Sequence, residues 1–196
     1  MKAAFEKVKQ TTVKSLPQPA NDGKTHLNFW IIGRVRAFRI LTQGERTFSI
    51  PELGEFETLN GFILYVLDGP NDEYRFMTRQ KATRELNRLR RPLSKEEYDY
   101  IKDAFRQLLL SDKSATKALI ETTLPFDCYY VHKNRHSNQS IPVRPIWSRD
   151  WICMATDLRE EFKNLARNPQ ARITRPNYQS IMDKLLGQME AIVPNE

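Results

Sequence analysis

Apolar positions along this chain fall into two rhythms, and the helical one dominates. Leu59, Phe62, Ile63, Val66 and Leu67 recur at helix spacing with too few charges between them to sit on a surface, which predicts a buried helix. Asp68-Gly69-Pro70-Asn71 ends it with a dense turn signal. A second helix follows, with Thr78 placed to cap it and Ala82, Leu86 and Leu89 on its inward side. Ser94-Lys95-Glu96-Glu97 has the form of a capping box and opens a helix through Tyr98, Ile101, Phe105, Leu108 and Leu109. Ser111-Asp112 interrupts this run. Ala115, Ala118, Leu119 and Thr122 then give another helix that stops before Pro125. Ser148 or Asp150 can start a long helix through Ile152, Ala155, Leu158, Phe162 and Leu165, halted at Asn168-Pro169. Asn177 can begin the last, with Ile181, Leu185, Met189 and Ile192 on one face. Met1 to Val13 has the pattern of a short amphipathic helix through Ala4, Phe5 and Val8.

The second rhythm is that of strands. Leu27 to Leu41 is rich in aromatic and β-branched residues and reads as one strand, or two joined near Gly33. Thr47 to Ile50, after the turn at Gln43-Gly44-Glu45, can pair with it as an antiparallel ribbon. Phe126 to His132 reads as a further strand, Lys133 to Ser140 as a polar loop, and Ile141 to Arg149 as an extended segment. The fold class expected is therefore α+β and mostly helical, about five to seven helices with a small antiparallel sheet. Residues 1–24 read as a basic arm and linker punctuated by Pro17, Pro19 and Gly23, residues 25–168 as the core domain, and residues 169–196 as a C-terminal helix packed on it.

Charge narrows the partners. The 196 residues hold 31 Lys and Arg against 24 Asp and Glu, a formal net charge of +7, which favours acidic partners, nucleic acid or a phosphate-bearing nucleotide first. At ~100° per residue, Lys81, Arg84, Arg88 and Arg91 form one ridge on the second helix, and Glu85 is the one acid between Arg75 and Arg91. A solvated face explains such a ridge equally well. Arg34 and Arg36 share a face if their segment is extended. Aromatic side chains stand close to cations at Trp30, Tyr129, Tyr130, Trp147 and Trp151, a combination that suits a base stacked on a ring with its phosphate held by Arg. For Trp30, Tyr129 and Trp151 taken singly, a place in the core is the simpler reading.

The chemistry available is sparse. No Walker-type loop, G-x-S-x-G elbow, HExxH or CxxC pair is present. Cys128 and Cys153 read as packing residues of a reducing compartment, and with His26, His132 and His136 they give no zinc spacing; no cofactor is expected. Glu52, Glu55 and Glu57 cluster before the apolar helix, where they can serve acid–base chemistry on a sugar or simply favour the helix N-terminus. No apolar run approaches a membrane span and no signal-peptide core is seen, so a cytoplasmic protein without a membrane partner is expected.

The order of these elements, with Gly54-Glu55-Phe56, Asn60-Gly61-Phe62-Ile63-Leu64-Tyr65, Gln80-Lys81-Ala82 and above all Thr123-Leu124-Pro125-Phe126-Asp127-Cys128-Tyr129-Tyr130-Val131, resembles the NADAR family over about Leu27 to Phe162, particularly its divergent bacteriophage members. Trp147 and the helix after it fit as well. The resemblance implies a helical scaffold for ADP-ribose-like or ribosyl compounds, in which several members cleave an N-glycosidic bond, including ADP-ribose attached to guanine in nucleic acid. It further implies a Glu near the start of the aromatic helix and a Lys two turns later. Here those positions hold Asn60 and Leu67, and Arg36-Ala37-Phe38 stands where an early Ser-Asn-aromatic element is expected. Asn60 can bond a ribose hydroxyl but cannot shuttle a proton, and Leu67 can carry no charge.

The expected function is accordingly a binding protein for nucleic acid or an ADP-ribose-type nucleotide, without the glycosidase pair. Asn60, Tyr129 and Trp147 are its candidate ligand residues, and Lys81, Arg84, Arg88, Arg91, Arg34 and Arg36 its phosphate contacts. An active N-glycosidase or ADP-ribosyl hydrolase using Glu57 is the alternative. A third is a phage product that binds a host protein in the host cytoplasm.

Overall fold

In the computed structural model, residues 18–29, 46–89, 91–133 and 140–192 are described. Residues 1–17 of the arm and linker, Trp30, Arg34 and Arg36 lie outside these residues, as does most of the strand expected over Leu27–Leu41. Packing centres on helix α1 (Leu59–Leu67), in which every residue but Asn60 is buried. Thr58 caps it, its hydroxyl accepting from the Gly61 N–H at 3.0 Å and donating to the Met77 carbonyl at 3.0 Å. The turn after α1 contains a short helix the sequence pattern did not show, α2 (Asp72–Arg75), capped by Asn71. Four residues are too few to display a period. Gly61 lets this segment lie against α1, because a Cβ there would stand 2.2 Å from the Tyr74 carbonyl oxygen.

Helix α3 (Arg79–Leu89) and helix α4 (Lys95–Leu110) pack on α1. Ala82 and Leu86 of α3 are buried and Leu89 partly so. The box at the start of α4 closes in both directions, Ser94 Oγ accepting from the Glu97 N–H and Glu97 accepting from the Ser94 N–H. Ser111 ends α4, and Asp112 takes the N–H groups of Ser114 and Ala115 to start α5 (Lys113–Glu121). The long helix α6 (Ser148–Arg167) covers α4 and α5, and Trp147 enters it with a left-handed φ of 55°. Helix α7 (Gln179–Ile192) buries Ile181, and Tyr178 just before it is buried too.

Strands are short and pair in twos among the described residues. β1 (Leu27–Asn28) runs parallel to β4 (Phe126–Asp127), β2 (Phe48–Ile50) antiparallel to β3 (Gly54–Phe56), and β5 (Tyr130–Lys133) antiparallel to β6 (Ser140–Val143). The α+β class holds, but in place of one small antiparallel sheet the described strands form three separate pairs, one of them parallel. The ribbon expected between Thr47–Ile50 and Leu27–Leu41 does not form from the described part: β2 instead folds back on the next segment through a turn that ends at Gly54, whose φ of 87° a side chain would strain. The strand expected over Phe126–His132 is split. Asn28 explains the break, since its carboxamide donates to the Tyr129 carbonyl at 3.0 Å and accepts from the Tyr129 N–H at 3.2 Å. That clamp occupies the backbone groups a continuous ladder would need.

Buried charge joins distant parts. Asp103, fully enclosed, accepts from Arg106, from Arg175 at 3.0 Å and from the Tyr178 hydroxyl at 2.9 Å. Arg175 also grips both oxygens of Glu52, at 2.9 and 2.8 Å. The segment before α7 is thereby held to α4 and to the turn between β2 and β3. Among the described residues no helix is long and apolar enough to cross a membrane.

Candidate nucleic-acid interface and adjoining cleft

Helix α3 has a divided circumference. Ala82 and Leu86 face the core, which leaves Lys81, Arg84 and Arg88 on the outer side, all three exposed. Lys81 and Arg84 have no ion-pair partner among the described residues. Arg88 meets Glu85 at 2.6 Å, yet its side chain is 75% exposed. An ion pair so open to water contributes ~0–1 kcal/mol, so Arg88 can exchange it for a phosphate at little cost.

Arg91 does not belong to the ridge. The helix ends at Leu89, and Pro92 disfavours helical backbone at the residue before it. The Arg91 guanidinium instead turns back onto both carboxylate oxygens of Glu97, at 2.6 and 2.8 Å, and onto the Leu67 carbonyl at 2.9 Å. The hydrogen bond that Arg91 donates to Glu97 raises the Arg91 pKa. Burial pushes the Glu97 carboxyl up, but the Arg91 guanidinium and the Ser94 N–H outweigh it and hold the group below its ordinary value. Arg91 is a brace between α1, α3 and α4, already neutralised.

A polar cleft of about 480 Å³ opens beside the start of α3, lined by Thr47, Glu57, Thr58, Thr78, Arg79 and Gln80. Its walls come from the approach to β2, the capped N-terminus of α1 and the first turn of α3. Glu57 is anchored by its backbone, its N–H donating to the Arg75 carbonyl at 2.8 Å, while its side chain is exposed. One carboxylate, one guanidinium and several hydroxyls can hydrogen-bond a polar ligand. A second carboxylate, which most glycoside hydrolases use, is not among the described lining residues.

The other candidates are dispersed. Asn60 donates to the Thr83 hydroxyl at 2.8 Å, tying α1 to α3. Tyr129 is 1% exposed, with its hydroxyl 2.8 Å from His26 Nε2. Trp147 is buried and donates its ring N–H to the Arg91 carbonyl at 2.6 Å. Neither aromatic lines the cleft. Glu52 is engaged by Arg175, Glu55 lies in β3, and the first turn of α1 holds no acid, which leaves Glu57, just before the cap residue Thr58, as the carboxylate next to the helix N-terminus. Cys128 is enclosed, and burial pushes its thiol well up, away from the nucleophilic thiolate. Among the described residues no three His, Cys, Asp or Glu side chains gather as a metal site requires.

Two features escaped the sequence reading. The threonines of the cleft are ordinary in sequence, and only the fold brings Thr47 to Thr58 and Thr78. Phe76 is 66% exposed between α2 and α3; the one signal for it was that it falls outside the apolar period of either neighbouring helix. No protein-family model, no curated protein and no solved structure matches this chain.

Proposed function

We propose that this chain is a nucleic-acid-binding protein that presents the outer face of α3 to phosphates, on a NADAR-like scaffold without the glycosidase pair. The observation that carries the reading is the exposure of Lys81, Arg84 and Arg88 on one side of a helix whose other side is fixed in the core. Cations so placed need no rearrangement to meet a polyanion, and releasing its counterions drives the association. The version with a nucleotide in an aromatic pocket loses support, because Tyr129 and Trp147 are enclosed. The loss of glycosidase chemistry is supported by Asn60, bonded to Thr83, and by Leu67, buried in the core. Binding of labelled oligonucleotides, titrated against salt, tests the proposal. Three phosphate contacts give a slope of log K against log salt of about −2 to −3. Affinity that is flat with ionic strength, or absent at low salt, rejects it.

A second reading rests on Glu57 in the polar cleft, as the single acid of an N-glycosidase or ADP-ribosyl hydrolase. Incubation with ADP-ribosylated guanosine and mass spectrometry decides it: turnover that Glu57→Gln abolishes supports it, and turnover no greater than that variant's ends it.

A further inference from the structure

Phe76 is the most exposed of the large apolar side chains described, at 66% against 52% for Leu186 and 50% for Leu110. A single exposed apolar residue is ordinary on a protein surface. This one differs in how firmly it is presented and in the cationic helix next to it. Arg75 before it turns inward, its guanidinium 4.9 Å from the ring centres of both Phe56 and Tyr65. Met77 after it is buried, and its carbonyl is held by Thr58. Tyr74 is fixed as well, its carbonyl seated on Gly61 and its hydroxyl bonded to Asp68, a bond that pushes the Tyr74 phenol up to about 12. With both neighbours locked inward, the backbone thrusts the Phe76 ring into solvent as a fixed platform. Three residues later α3 begins, with its cationic outer side.

We infer that Phe76 is a stacking platform for an unpaired base, and that the face made by Phe76, Lys81, Arg84 and Arg88 selects single-stranded over duplex nucleic acid. This inference rests on the nucleic-acid reading of α3. A base within a duplex is stacked on both sides and offers no free face to a protruding ring, whereas a single strand does, and any base will serve because every base has a π-face. The cations then follow the backbone: Lys81, Arg84 and Arg88 lie within about 60° of each other around the helix axis and span roughly 10 Å along it. The acids nearby set the direction. Asp72 is taken by Arg75, Asp68 bonds the Tyr74 hydroxyl and Glu85 on α3 is paired with Arg88, while Glu73 is exposed on α2, so phosphates run from Phe76 along α3 and away from α2.

The test uses the full chain, a fluorescein-labelled oligothymidylate and a duplex of equal length, compared at one low salt concentration by anisotropy. Phe76→Ala is expected to weaken binding to the single strand roughly ten-fold and to leave duplex binding unchanged. Phe76→Trp is expected to restore affinity, with extra tryptophan fluorescence, relative to wild type, that the single strand quenches and the duplex does not. As Phe76 is exposed, thermal unfolding of both variants should match wild type. Salt-sensitive binding that Phe76→Ala does not alter, or weakens equally for both probes, overturns the platform while leaving the nucleic-acid reading intact. No binding of either probe overturns both. A change of oligomeric state in Phe76→Ala with binding unaltered also overturns it, and marks the ring as a self-association contact.

Discussion

A hydrogen atom is the largest side chain that position 61 admits. The α2 segment crosses α1 there so closely that an alanine Cβ would meet a main-chain oxygen, which cannot swing aside as a side chain would. Gly61→Ala is expected to lower stability by about 1–3 kcal/mol, the usual cost of overfilling a packed contact, read as a lower urea midpoint with unchanged slope. Asp112 gives a second single-residue expectation. The Ala115 N–H, with help from Ser114 and Arg46, holds its carboxyl below the ordinary value despite some burial. Its pKa is therefore lower folded than unfolded, so its charge stabilises the fold fully above about pH 4 and that contribution drains away as pH falls toward the folded value. Asp112→Asn keeps a competent cap without the charge. Its urea midpoint should fall less steeply than that of wild type on acidification below about pH 4. Equal slopes would show that the charge contributes nothing.

Elements were legible in proportion to how local their causes are. The start of α4 stood in the sequence because a capping box acts within three residues, whereas Ser111-Asp112 showed there only as a break and the structure adds that Asp112 caps α5. Helix α1 was visible because its apolar residues recur at helix spacing with no charge among them. Strand pairing was not, because β1 and β4 meet across about a hundred residues and no local pattern names a partner. The decisive group there is Asn28, a polar residue within a run that reads as apolar strand. Asn28→Ala would remove the side-chain bonds to the buried Tyr129 N–H and C=O, at an expected cost of about 2 kcal/mol or more. Hydrogen exchange would localise the loss: the Tyr129 amide should exchange far faster while amides within α4 keep their order of protection. Uniform acceleration throughout would mean that the clamp is not a local device. The candidate site divides along the same line. The ridge on α3 followed from helical period alone, except at Arg91, where the helix had already stopped and a carboxylate across the turn captured the guanidinium. The cleft could not be read, since Thr47 and Thr78 become neighbours only when β2, α1 and α3 are assembled.

On the scale of the whole molecule the open question is whether a net charge of +7 or its local arrangement attracts a polyanion. Salt screens exposed charges over about 8 Å at physiological ionic strength, so cations elsewhere on the surface steer an approaching strand without holding it. Some cations are committed to carboxylates: buried Arg106 and part-buried Arg175 to Asp103, and part-buried Arg91 to Glu97. What can be exchanged lies on the surface, with Lys81, Arg84 and Arg88 in one place and Lys113 and Lys117 on α5 in another. Replacing Lys81, Arg84 and Arg88 together by alanine should therefore weaken oligonucleotide binding by about ten-fold or more at low salt and flatten its salt dependence. Replacing Lys113 and Lys117 should change either only slightly. Each exposed substitution lies within about ±0.5 kcal/mol for stability, so both variants should melt close to wild type. Comparable losses of affinity in the two variants would mean that overall charge governs the attraction and that α3 has no special part in it.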